Sequence, residues 1–71
     1  MTLEDLQHIF GPQIEAATAS NIPDMSVQFM LVDGTYQLIE RHSIHKLEEL
    51  LPVLSSFQYA GSANNTPIFI K

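Results

Sequence analysis

The chain contains no cysteine and no tryptophan, and only three of its 71 residues are lysine or arginine. Without cysteine, disulfide bonds and thiolate metal ligands are excluded. Eight carboxylates outweigh these cations and give a net charge of −5, so the chain cannot neutralise a row of phosphates. We therefore expect no direct binding of nucleic acid and no attraction to an anionic membrane.

Long apolar runs and a basic leader are also missing. No apolar stretch approaches the roughly 20 residues that cross a bilayer. The first residues include Glu4 and Asp5, whereas a secretory leader starts with positive charge. These absences predict a cytoplasmic protein. A length of 71 residues and a hydrophobic content of 45% predict one small folded domain, residues 1–71.

The strongest pattern that is present predicts a β-hairpin. Asp33-Gly34 lies between two runs of β-branched, aromatic and long apolar residues. A two-residue type I′ turn needs positive φ at both central positions, which Asp tolerates and Gly accepts freely. With Asp33-Gly34 as the whole loop, Leu31 would lie opposite Tyr36.

Alternation along these strands separates their side chains into two faces. The predicted core face consists of Met25, Val27, Phe29, Leu31, Tyr36 and Leu38. The other face carries Met30, Val32 and Ile39 among polar residues, so it is not an ordinary solvated face.

A helix is predicted on each side of the hairpin. Residues 2–20 have Thr2 as the predicted N-cap and an apolar residue at each helical turn. Pro12 cannot donate to the His8 carbonyl, so this helix either kinks there or restarts as a second short helix. Residues 21–24 are predicted to form a linker with turn chemistry.

The second helix is predicted from Ser43, as its N-cap, to Ser56. Its apolar face would consist of Ile44, Leu47, Leu50, Leu51 and Leu54. Pro52 should bend this helix or end its regular part near Leu51. Beyond it, residues 57–59 could form a short strand, residues 61–66 a polar loop and residues 68–70 a last strand.

These elements predict an α+β fold. The expected order is helix, β-hairpin, helix and one or two short C-terminal strands, with the helices packed on one face of a small, mainly antiparallel sheet. The alternative is a β-grasp-like variant. There the terminal strand pairs parallel to the first strand by a right-handed crossover through the second helix.

Candidate chemistry is sparse. His42 and His45 are three residues apart and could meet on a helix as metal ligands, but a third ligand would have to come from another element. Ser43 between them is better explained as a cap than as a nucleophile. Glu48 and Glu49 are adjacent in a helix and point about 100° apart, which is no paired-carboxylate geometry. We expect no enzymatic activity, no metal and no cofactor.

One family resemblance is carried by Asp33-Gly34, by Ser43 ten residues after Asp33, and by the apolar pair Ile44 and Leu47. This stretch resembles the hairpin-plus-capped-helix pattern of the head-to-tail joining protein W family of lambdoid phages. The resemblance covers about a third of the chain and implies a structural or assembly component of a phage particle. The chain departs from that family in being acidic rather than basic and in ending with an apolar segment.

The favoured function is a small acidic non-enzymatic protein-interaction module, such as an adaptor, a regulatory subunit or an inhibitor of a larger machine. The alternatives are the phage component and a metal-dependent or hydrolytic enzyme using His42, Ser43 and His45. The expected partner is another protein or a second copy of the chain. The candidate interface consists of Met30, Val32, Ile39, Ile68, Phe69 and Ile70.

Overall fold

The computed structural model describes the backbone of residues 1–19 and 25–71, and the side chains of residues 1–16 and 26–71. The predicted linker at residues 21–24 lies outside the described residues, as do Ser20, at the predicted end of the first helix, and the side chain of Met25. The elements in chain order are helix α1 (Leu3–Ala19), strands β1 (Met25–Asp33) and β2 (Tyr36–Ile44), a 3₁₀ turn (Leu47–Leu50), helix α2 (Leu51–Leu54), and strands β3 (Gln58–Ala63) and β4 (Thr66–Ile70). The predicted α+β class is confirmed.

The four strands form one sheet in the order β2-β1-β4-β3. Two antiparallel hairpins, β1–β2 and β3–β4, meet at a parallel pairing of β1 with β4, with Leu31 beside Phe69. The sheet is therefore mixed, and two of its three strand pairings are antiparallel, as predicted for the majority of the sheet. The terminal strand lies parallel beside the first strand, which is the pairing that the β-grasp-like alternative required.

The first hairpin turns one residue later than predicted. Its loop is Gly34-Thr35, with Asp33 opposite Tyr36 and Leu31 opposite Leu38. Gly34 has φ +62° while Thr35 keeps a negative φ, so glycine occupies the first central position, as in a type II′ turn. The change moves the strand register by two residues, an even number, so every side chain keeps its predicted face.

Helix α1 is a single element with Pro12 inside it, so the predicted restart as a second helix is wrong. Thr2 is the N-cap, as predicted. The Thr2 N–H donates to the Asp5 carboxylate at 2.9 Å, and the Asp5 N–H donates to the Thr2 hydroxyl at 3.2 Å. The cap fixes the start of the helix whose inner face enters the core.

The core lies between the helices and one face of the sheet. Its buried apolar side chains are Leu6, Phe10, Val27, Phe29, Ile44, Leu50, Leu54 and Phe69. The rings of Phe10, Phe29 and Phe69 contact one another with centroids 6.0 to 6.1 Å apart. Such aromatic pairs add stabilisation beyond the area that they bury. The three rings join α1, β1 and β4.

The predicted helix from Ser43 to Ser56 is shorter and begins later. Ser43 and Ile44 continue β2, where they pair with Ser26 and Met25 and where Ile44 becomes buried. The pairing of this segment with β1 and the burial of Ile44 outweigh a serine cap. The predicted break at Pro52 is also absent, because Pro52 lies in the first turn of α2, where its missing N–H costs no helical hydrogen bond.

Residues 61–66, predicted to be a polar loop, instead complete a second hairpin. Asn64 and Asn65 have φ values of +52° and +64°, and the strands on either side pair Ala63 with Thr66. Positive φ at both central positions is the type I′ arrangement, which asparagine tolerates. No helix in the described part of the chain has the length and apolar character needed to cross a membrane.

Candidate protein-interaction surface

The sheet face opposite the helices carries a group of large apolar side chains. The strand registers align Ile39 of β2, Met30 of β1 and Ile68 of β4 in one row, and Val32 with Ile70 in the next. We call these five residues the outer patch. The helical side chains of the core pack on Val27, Phe29 and Phe69, which lie on the opposite face of the sheet from the outer patch.

Exposure of the outer patch is highest at its two sides. Ile39 is 51% exposed and Ile70 is 44% exposed, while Met30, Val32 and Ile68 are half-buried. On β3, the residue opposite Ile68 is Gly61, which has no side chain to shield it. Among the described residues, these apolar side chains are therefore covered mainly by their neighbours within the sheet.

A polar row borders the outer patch on one side. Arg41 Nη2 donates to Gln28 Oε1 at 2.7 Å, and Gln28 Nε2 donates to Thr66 Oγ1 at 3.4 Å, so the row spans β2, β1 and β4. Gln37 and Gln58 stand at the other side, in register with Val32 and Ile70. An apolar patch rimmed by polar residues is the usual form of an interaction surface.

Charge is distributed unevenly between the two faces. By strand register, Arg41 is the one charged side chain on the described part of the outer face. Glu40 and Asp33 project to the helix side, although the chain as a whole carries −5. A partner can therefore cover the outer patch without desolvating a carboxylate.

Three hydrophobic residues differ from the prediction in their exposure to solvent. Phe69 belongs to the predicted interface, but its side chain alternates to the helix side and is fully buried. Tyr36 and Leu38 belong to the predicted core, yet they are 80% and 54% exposed. They lie on the core face near the hairpin turn, where the helices do not cover them.

The candidate catalytic residues do not come together as a site. His42 lies in β2 with its ring 5.2 Å from that of Phe29 and its Nε2 3.5 Å from Glu40, whereas His45 follows the strand. Ser43 lies between them in β2 and points to the opposite face from His42. The helical face that would have aligned the two histidines is not formed. No group of three or more potential metal ligands occurs in the described residues.

The carboxylates with shifted pKa values act as helix caps. Hydrogen bonds from the N–H groups of Lys46 and His45, at 2.7 and 2.6 Å, lower the pKa of Glu49. In the same way, the backbone N–H of Thr2 and then its hydroxyl lower the pKa of Asp5. Glu49 therefore supplies the cap that the sequence assigned to Ser43.

A depression of about 450 Å³ lies between α1 and the start of β3, lined by residues that include Asp5, His8, Phe57 and Tyr59. Two of its polar groups have structural partners. Asp5 caps the helix, and the Tyr59 hydroxyl lies 2.8 Å from that of Ser62. The depression therefore offers less to a functional argument than the outer patch does.

Comparison of the chain with protein-family models, curated proteins and solved structures found no match. One feature that carried the resemblance to the phage joining-protein family is absent: Ser43 lies in a strand and does not cap a helix. The surface itself is therefore the main indication of function.

Part of this surface follows from strand alternation, which predicts Met30, Val32 and Ile39 together on one face. The alignment of Ile68 and Ile70 with them depends on the parallel register of β1 and β4. The polar row through Gln28 depends on the same register. No local sequence signal specifies it.

Proposed function

We propose that this chain is a small non-enzymatic protein-interaction module that binds an apolar surface of another protein through the outer patch. The observation that carries the proposal is the alignment of five large apolar side chains from three strands on the face that the helices leave open. Contiguous exposed apolar surface marks interaction sites in soluble domains.

The distribution of charge supports this proposal. The outer patch has no carboxylate at its centre or in its described rim, so apolar contact there carries no penalty for burying a negative charge. The acidic groups elsewhere on the chain would attract a partner whose interface has a basic surround. An adaptor, a regulatory subunit or an inhibitor of a larger protein machine would use such a surface.

The structural use of titratable groups supports a non-enzymatic role. Asp5 and Glu49 are hydrogen-bonded to helix N-termini, and His42 packs against Phe29. Acid–base chemistry needs groups that converge on a substrate position, and these three serve separate parts of the fold.

The test uses two neighbouring residues of similar exposure on opposite faces. Ile39→Lys introduces a charge into the outer patch, and the control Leu38→Lys introduces the same charge on the other face. We expect a partner captured from the source cells to bind wild type and Leu38→Lys but not Ile39→Lys, with both variants folded by circular dichroism. Capture that is unaffected by Ile39→Lys, or lost equally in both variants, would exclude the outer patch as the binding surface.

A further inference from the structure

The two edges of the sheet differ in how they are protected. The β3 edge is short and irregular: a bulge at Ala60 interrupts its register, and Gly61 has φ +119°. The β2 edge is nine residues long and pairs with β1 without any register shift, and it contains no proline. Proteins usually blunt an edge by the devices seen in β3, because a long regular edge pairs with a further strand.

The directions of the backbone groups show which β2 residues can accept such a strand. On β1, the Gln28 N–H and C=O bond to Gln13, and the Val32 C=O bonds to Lys71, all on the β4 side. In an antiparallel pair, two opposed residues either both direct their backbone N–H and C=O groups toward each other or both direct them away from each other. Arg41 and Gln37, which oppose Gln28 and Val32, therefore direct theirs to the open edge, and by alternation so does Ile39.

We propose that β2 pairs in antiparallel fashion with β2 of a second copy of this chain, with Ile39 opposite Ile39 on the two-fold axis. The two sheets would join into one continuous sheet with both outer patches on the same face. The proposal rests on the proposed function, since it extends the outer patch and names one of its partners.

The choice of register follows from charge and overlap. Centring on Ile39 pairs residues 36–42 of the two copies, with Gln37 opposite Arg41 and Leu38 opposite Glu40. Centring on Glu40 or on Arg41 would set like charges directly opposite each other, which is destabilising. Centring on Leu38 pairs only residues 36–40.

A second copy fits this edge because the chosen register continues the apolar row. Within one chain, the row runs from Ile68 through Met30 to Ile39. With Ile39 opposite its symmetry mate, the row continues through the same residues of the second copy in reverse order. The most exposed residue of the patch, Ile39, thereby gains an apolar neighbour on its open side.

A single introduced cysteine tests the register, because the chain has none of its own. In the proposed dimer, the two Cα atoms of residue 39 form a hydrogen-bonded pair about 5.5 Å apart, within disulfide range. In the control Leu38→Cys, the two sulfur-bearing residues are offset by two positions and lie about 8 Å apart or more. We expect Ile39→Cys to oxidise to a covalent dimer and Leu38→Cys to remain largely monomeric. Equal cross-linking of the two variants would overturn the register.

Sedimentation of the cysteine-free chain tests the association itself. We expect a reversible dimer that strengthens with added salt, because each copy carries −5 and salt screens the repulsion. Gln37→Pro removes an outward N–H without removing a bond to β1 and leaves the outer patch intact, so we expect it to raise the dimer Kd roughly tenfold or more. A wild type that stays monomeric at high micromolar concentration overturns the proposal.

These outcomes are separable from those for the outer patch. If wild type is monomeric but partner capture still depends on Ile39 and not on Leu38, the dimer fails and the proposed function stands. If wild type is monomeric and Gln37→Pro abolishes partner capture, the strand added to β2 belongs to the partner, and the second copy is excluded.

Discussion

The side chain of Gln13 takes the place of a missing strand residue beside β1. Pairing of β1 with β4 begins at Met30, so the backbone of Gln28 has no strand partner on that side. The Gln13 amide fills the gap: Oε1 accepts from the Gln28 N–H at 2.8 Å, and Nε2 donates to the carbonyls of Gln28 at 2.8 Å and Asn65 at 2.7 Å. We therefore expect Gln13→Ala to destabilise the fold well beyond an ordinary helix-surface change.

The magnitude follows from these three bonds. A hydrogen bond contributes about 1 kcal/mol net, and a buried group left without a partner costs about 1–3 kcal/mol. The two bonds to Gln28 are partly buried, whereas the bond to Asn65 is exposed and water can replace it. The free energy of unfolding should fall by about 2–3 kcal/mol. In a domain of this size, that corresponds to a decrease in Tm of about 10–20 °C.

Urea and thermal unfolding followed by circular dichroism would measure the effect. Gln7→Ala is the matched control, since Gln7 lies exposed on the same helix and makes no hydrogen bond among the described residues. We expect it to change stability by less than about 0.5 kcal/mol. Gln13→Glu keeps the acceptor for the Gln28 N–H but sets a carboxylate oxygen against two carbonyls, so it should destabilise at pH 7 and recover partly in acid. Equal stability of Gln13→Ala and Gln7→Ala would refute the reasoning.

Two further predictions concern a turn and a cap. Gly34→Val should destabilise by about 1–2 kcal/mol, because its φ of +62° is unfavourable for a β-branched residue, while Thr35→Val should be nearly neutral in the same thermal melts. Equal effects of these two would contradict the turn assignment. The pKa of Glu49 is lowered in the folded chain, so the ionised carboxylate stabilises the fold. This stabilisation is complete above the ordinary glutamate pKa and disappears as pH falls through the lowered value. The Tm difference between wild type and Glu49→Gln should therefore vanish in acid, and a difference that persists there, or that Glu48→Gln reproduces at neutral pH, would contradict the cap.

The division of the hairpin into two faces was predictable because it depends only on parity. Moving the loop from Asp33-Gly34 to Gly34-Thr35 shifts the register by an even number of residues and leaves every face unchanged. The turn itself was harder to predict, because glycine suits either central position. The outer-face position of Met30, Val32 and Ile39 was therefore predictable from the sequence even though the register was not.

The C-terminal half was less predictable because its structure depends on distant partners. Ser43 has the chemistry of a cap, but pairing with Ser26 extends the strand through it. Phe69 and Ile70 are equally apolar, and only the alternation of β4 beside β1 buries the first and exposes the second. The Asn64-Asn65 turn had a local signal, since both residues tolerate positive φ.

The parallel pairing of β1 with β4 has a consequence for how the chain reaches its fold. Each hairpin closes over a two-residue loop, a local event that takes microseconds. Joining them brings Leu31 to Phe69, more than half the chain apart, and must overcome the entropy of closing that long loop. The Phe10, Phe29 and Phe69 rings come together only after this step, so neither hairpin has a finished core of its own. Docking of the two hairpins is therefore the step that we expect to set the folding rate, and until it occurs both faces of each ribbon remain open to other chains.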